Sequence, residues 1–105
     1  MKEYEVYTSE EFDKDFNKLD KSLQNQISKE IDQLKTNPYV GKPLGYKFFR
    51  EKKVKNYRFY YLIYDDYVVV FVIAISGKKN QQEVIDTIKY LLPYYKEQIK
   101  NKFKL

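Results

Sequence analysis

The feature that most constrains this chain is the unbroken apolar run from Val68 to Ile75. It is too short to cross a bilayer, which takes about 20 residues. Its residues are mostly β-branched or aromatic, which favours strand over helix. A half-exposed strand alternates apolar and polar residues; this one does not, so both its faces must be covered. The chain must therefore place other elements on both sides of a sheet whose centre is this run. With 105 residues there is material for one domain.

The covering elements are legible on either side of the run. Glu3 to Tyr7 reads as a short strand. Thr8 and Glu11 have the spacing of a capping box, so a helix is expected to start there, with Phe12, Phe16 and Leu19 on one face. Asp20-Lys21-Ser22 breaks that pattern. Leu23, Ile27, Ile31 and Leu34 resume it on a second helix, making a helical hairpin that ends at Asn37-Pro38. Gly41 to Gly45 reads as a loop, Tyr46 to Arg50 as a strand and Glu51 to Lys53 as a charged turn. Val54 to Tyr64 and Tyr67 to Ile75 then form strands joined by a tight Asp65-Asp66 turn, completing an antiparallel meander. Gln81 to Leu92 is helical by pattern, Pro93 interrupts it, and Tyr94 to Phe103 is expected as an extra basic helix. The predicted class is α+β: an N-terminal strand, a two-helix hairpin, a β-meander sheet and a C-terminal helix in one domain spanning residues 1–105.

Composition narrows the chemistry. Cysteine and histidine are both absent, which removes thiolate and imidazole nucleophiles, bases and metal ligands. Catalysis would fall to Lys, Arg, Tyr or carboxylates, and no metal site is expected. The net charge of +5 favours polyanionic partners. Met1-Lys2-Glu3-Tyr4 lacks the apolar core of a signal peptide, so a cytoplasmic protein without membrane attachment is expected.

Three features resemble the RelE/ParE toxins, over nearly the whole length. They are the helical hairpin ending in Asn-Pro before Gly41-Lys42-Pro43-Leu44, the strand Asn56-Tyr57-Arg58-Phe59-Tyr60-Tyr61, and the apolar run followed by Gly77-Lys78-Lys79 and a helix. The resemblance implies the toxic half of a type II toxin–antitoxin pair. RelE-like members cleave messenger RNA in the ribosomal decoding site. ParE-like members poison DNA gyrase instead. An attenuated relative would only bind an antitoxin. The partners implied are a cognate antitoxin, the ribosome and its messenger RNA, with operator DNA bound only through the antitoxin complex. No cofactor is implied.

RNA carries its own nucleophile in the 2′-hydroxyl, so a protein without His or Cys can still cleave it. It must orient the phosphate, stabilise the phosphorane charge and manage two protons. Arg58, one of the two arginines, matches the family's phosphate-binding arginine; the plainer alternative is a pairing with an acid within the sheet. Lys79, beside Lys78, matches the position of a second catalytic arginine, and a solvated turn is the alternative. Family RNases place lysines on the first hairpin. Here Arg50, Lys52, Lys53 and Lys55 crowd it, with Lys52 expected to be catalytic and Arg50, Lys53, Lys55 and Tyr57 expected to contact RNA. Where those RNases carry a tyrosine in the following helix, this chain has Ile85. Tyr90, Tyr94 or Tyr95 would replace it if the C-terminal segment folded back.

Overall fold

A computed structural model describes residues 3–104. In chain order the elements are β1 (Glu5–Thr8), α1 (Glu10–Asn17), α2 (Lys21–Gln33), β2 (Lys42–Tyr46), β3 (Phe49–Val54), β4 (Tyr57–Tyr64), β5 (Val69–Gly77) and α3 (Gln81–Lys102). Short 3-10 turns at Pro38–Val40 and Lys78–Asn80 lead into β2 and α3. The strands form one sheet in the order β1-β5-β4-β3-β2, with β1 parallel to β5 and the other pairs antiparallel. Among the described residues no helix is long and apolar enough to cross a membrane.

The apolar run is β5, and it is covered on both faces as its composition demands. On one side Phe12, Leu23, Ile27 and Leu34 from α1 and α2 meet Phe59, Tyr61, Val70 and Val72 of the sheet. On the other, Ile85, Ile88 and Ile99 of α3 meet Phe49, Tyr60, Leu62, Phe71 and Ile73. Burial of each such side chain contributes about 1.5–3 kcal/mol. The register slips between Tyr60 and Tyr61, which pair with Ala74 and Val72 and leave Ile73 bulged.

That bulge explains why α1 starts one residue later than its capping pattern suggested. Ser9, not Thr8, is the N-cap: its hydroxyl accepts from the Phe12 N–H at 3.0 Å and donates to the Ile73 carbonyl at 2.8 Å. One buried hydroxyl thus satisfies a helix terminus and the bulge. Thr8 donates instead to Asp13 at 2.7 Å. Asp20 caps α2 through the Leu23 N–H, at 2.9 Å.

Three expectations are corrected. The Gly41–Gly45 loop contributes a fifth strand, β2, at the sheet edge, where Pro43 costs no interior hydrogen bond. The turn lies at Lys47-Phe48, inside the predicted strand, and the predicted charged turn Glu51–Lys53 belongs to β3. Those charges are tolerated on a strand because distant elements supply their partners. Finally, α3 runs unbroken through Pro93. The proline removes one backbone donor on an exposed position, while Tyr95 against Phe71 and Phe103 against Tyr67 hold the second half of the helix to the sheet.

The β4–β5 turn is held by Asp65, whose carboxylate accepts from the hydroxyls of Tyr4 and Tyr39 at 2.6 and 2.5 Å. Its last residue, Val68, has φ +54°, left-handed backbone that a β-branched side chain adopts only under strain. Val68→Asn relieves a cost of about 1–2 kcal/mol. We expect a melting temperature about 4 °C higher or more by thermal denaturation.

Candidate active site

Polar groups collect at one end of the α3-covered face, where strand alternation would otherwise continue the core. Arg58 projects there from the start of β4. Its cross-strand neighbours are Lys53 on β3 and Ser76 on β5. Glu51, two residues before Lys53 on the same face, lies across from Tyr60. Gln81, the first residue of α3, donates its amide to both Glu51 carboxylate oxygens at 3.1 and 3.3 Å. The Tyr60 hydroxyl and Ser76 Oγ are 2.7 Å apart. Burial raises the Tyr60 pKa, so the phenol keeps its proton at neutral pH.

Arg58 is the exceptional member of this group. Its side chain is 12% exposed, and Nε approaches Glu51 Oε2 only to 3.7 Å. That is an ion pair but too long for a hydrogen bond. Nε and Nη1 are buried without any hydrogen-bond partner. A buried donor left unmade costs about 1–3 kcal/mol, and more when charged. Most such groups in folded proteins are satisfied. Nε and Nη1 are closed to solvent, so an anion from outside meets this planar cation at the exposed remainder of its side chain. Lys53, Lys78 and Lys79 are exposed at the same end of the sheet, so the fork sits beneath a cationic rim.

The other residues singled out from the sequence lie elsewhere. Lys52 points to the opposite face, where its ammonium meets Glu30 of α2 at 2.9 Å; it does not converge with Arg58. Tyr57 packs on the α1–α2 core. Lys55 occupies the β3–β4 turn with φ +54°, exposed. Ile85 is a core residue beneath α3, and because α3 is continuous the C-terminal segment does not fold back. Tyr90, Tyr94 and Tyr95 lie along the same helix, Tyr94 roughly 20 Å of helix rise beyond Gln81. The tyrosine that does stand near Arg58 is Tyr60.

Arg50 clamps the chain on both sides of β2. Nη1 donates to the carbonyls of Tyr39 and Gly41, each at 2.7 Å, and Nε to that of Lys47 at 2.8 Å. The guanidinium also stacks 5.1 Å from the Tyr39 ring centre. A lysine cannot span three carbonyls in this way. Arg50→Lys should lower unfolding free energy by about 2 kcal/mol, read as a shifted urea midpoint at constant m-value.

Glu51 and Gln81 escaped the sequence reading. The available signal was Asn56, a turn-favouring residue within the long predicted strand Val54–Tyr64, which the structure splits at Lys55-Asn56. Placing the turn there sets Lys53 opposite Arg58 and brings Glu51 onto the same face.

Comparison with known proteins agrees with this architecture. The sequence profile of the family described as the ParE toxin of type II toxin–antitoxin system, parDE, matches residues 6–82, a span reaching from β1 to Gln81. An Escherichia coli protein described as RelE-like toxin is 29% identical over 85 residues, covering 77% of this chain and 88% of its own length. Among solved structures, a double arginine-to-alanine mutant of the E. coli toxin RelE in the free state superposes with a TM-score of 0.69 and 28% identity, over 80% of this chain and 92% of that one. The toxin of the intact E. coli RelBE toxin–antitoxin complex gives 0.65 and 27%, over 70% and 95%. This chain is a toxin of the RelE/ParE superfamily and belongs to the ParE toxin family of type II toxin–antitoxin systems.

Proposed function

We propose that this toxin is a RelE-like endoribonuclease that cleaves messenger RNA on the ribosome without a metal. The observation that carries the reading is the Arg58 guanidinium, fixed on a strand 3.7 Å from Glu51 with a small part of its side chain exposed under a rim of lysines. Arg58 binds the non-bridging oxygens of the scissile phosphate and neutralises the charge that grows on them in the phosphorane. The neighbouring lysines add positive charge and draw the RNA backbone in. The 2′-hydroxyl beside that phosphate is the nucleophile, so in-line positioning supplies much of the acceleration. In this reading the ribosome presents the single-stranded message to the toxin.

A cognate antitoxin binds the toxin and holds it inactive in this reading; the similar E. coli structure is of an intact RelBE toxin–antitoxin complex. Its toxin-binding segment is acidic, complementing the charge of +5. Operator DNA is bound through that complex rather than by the toxin alone.

A gyrase poison is the second reading, favoured by the family profile that matches and by the core role of Ile85. Induction in growing cells separates the two. The endonuclease stops incorporation of labelled amino acids first, with DNA synthesis following later. Early loss of labelled thymidine incorporation with protein synthesis intact would replace the endonuclease by the gyrase reading.

A further inference from the structure

We propose that Glu51 is the catalytic proton acceptor for the attacking 2′-hydroxyl, a role that rests on the endonuclease reading above. The chain has no histidine. Among the described residues, the carboxylate ion-paired with Arg58 is Glu51, itself 6% exposed. The pair is unusual in that the carboxylate is not consumed by the guanidinium: Oε2 stands 3.7 Å from Nε, and that Nε makes no hydrogen bond. Gln81 takes one lone pair on each oxygen. A carboxylate offers about four acceptor sites, so capacity remains for a hydroxyl donor. In this proposal a phosphate seated against the exposed part of the Arg58 guanidinium brings the adjoining 2′-hydroxyl to the neighbouring Glu51 carboxylate.

Gln81 has the character of a positioning group. Its amide holds the carboxylate from the α3 side, opposite the 3.7 Å approach of Arg58 Nε. Lys53 lies two residues further along β3 on the same face, directly across from Arg58 and exposed. Two strand residues span about 7 Å. That separation admits a phosphorus atom with one apical oxygen toward each side chain. In the step, the 2′-hydroxyl gives its proton to Glu51 as the O2′–P bond forms. The P–O5′ bond breaks, and the departing 5′-oxygen takes a proton from the Lys53 ammonium. The products are a 2′,3′-cyclic phosphate and a 5′-hydroxyl. Glu51 and Lys53 then exchange protons with water, and no co-reactant is consumed.

The charged and titratable groups around Glu51 are Arg58 and Tyr60 on β4, Lys42 across from it on β2, and Lys53 on β3; Ser76 and Gln81 add neutral hydrogen-bonding groups. The test is the single-turnover cleavage rate on ribosomes programmed with a defined message, measured across pH with melting temperatures recorded alongside. Wild type should show a rate rising with pH on the acid side. Glu51→Gln keeps shape and the Gln81 contact, and should lower the rate by about 10²–10⁴-fold and abolish that rise. Should this variant melt early, Glu51→Asp decides: a base drawn back by one methylene keeps the acid-side rise with a lower rate. A Glu51→Gln rate within a few-fold of wild type would overturn the proposal, as would a lower rate with the acid-side rise intact. An Asp variant as fast as wild type would overturn it too. Wild-type toxin that cuts no message removes the endonuclease reading itself, an outcome distinct from loss in the variant alone.

Discussion

Arg58→Lys should reduce message cleavage by about 10²–10³-fold while leaving the chain folded. Removing one preorganised donor from a developing oxyanion costs about that much, and lysine keeps the charge while losing the planar fork. The substitution is chosen over alanine for a structural reason. Glu51 is buried beside Arg58 at 3.7 Å. An alanine would leave that carboxylate without its counter-charge, and breaking a buried pair costs about 3–5 kcal/mol. A lost activity would then report unfolding as much as chemistry. With lysine the pair persists, so the rate and the melting temperature separate. Single-turnover rates on programmed ribosomes and thermal melts measure the two. A lysine variant as fast as wild type would mean that Arg58 only balances Glu51.

Gly41→Ala should remove about 3–5 kcal/mol of stability. A Cβ at this position would stand 2.5 Å from the Tyr61 hydroxyl and 2.6 Å from the Glu51 carbonyl oxygen. The carbonyl belongs to β3 and cannot swing away. The hydroxyl cannot move freely either, since it donates to the Pro38 carbonyl at 2.7 Å and accepts from the Gly41 N–H at 3.0 Å. Tyr61 is fully buried, and burial pushes its pKa up to about 12. Overpacking costs about 1–3 kcal/mol, and each buried hydrogen-bonding group left unpaired costs a similar amount. A domain of this size has about 5–15 kcal/mol in total. Thermal melting should fall by at least about 12 °C. A variant melting like wild type would show that the Pro38–Gly41 segment relaxes away from Tyr61. The Gly41-Lys42-Pro43-Leu44 string thus has a packing cause at its first residue.

What could be read from the sequence follows from where each residue finds its partner. The strand of the apolar run, the hairpin of α1 and α2 and the helix after Lys79 rest on local apolar patterning, and all three appear in the structure, with Val68 giving up its place in the strand to the preceding turn. The strands around the charged segment did not show themselves. Pro43 and Gly45 look like loop residues, yet an edge strand tolerates the first, and the φ of +89° at Gly45 needs the second. Between Arg50 and Lys53 both faces of β3 are polar, so no alternation marks the strand. Lys52 is matched by Glu30 of α2 and Glu51 by Gln81 of α3, partners about 20 and 30 positions away. Arg58 stood out by residue type alone, whereas its environment depended on the hairpin register. Pro93 looked like a break because the sequence does not display the contacts of Tyr95 and Phe103 that hold α3 together.

The most direct test of the account is primer extension on a messenger RNA translated in a cell-free system, with purified wild-type toxin added and a parallel reaction lacking ribosomes. A ribosome-dependent endonuclease gives discrete cuts inside the reading frame, absent without ribosomes and leaving 2′,3′-cyclic phosphate ends. An intact message under active translation, at a toxin concentration that arrests growth in cells, would contradict it.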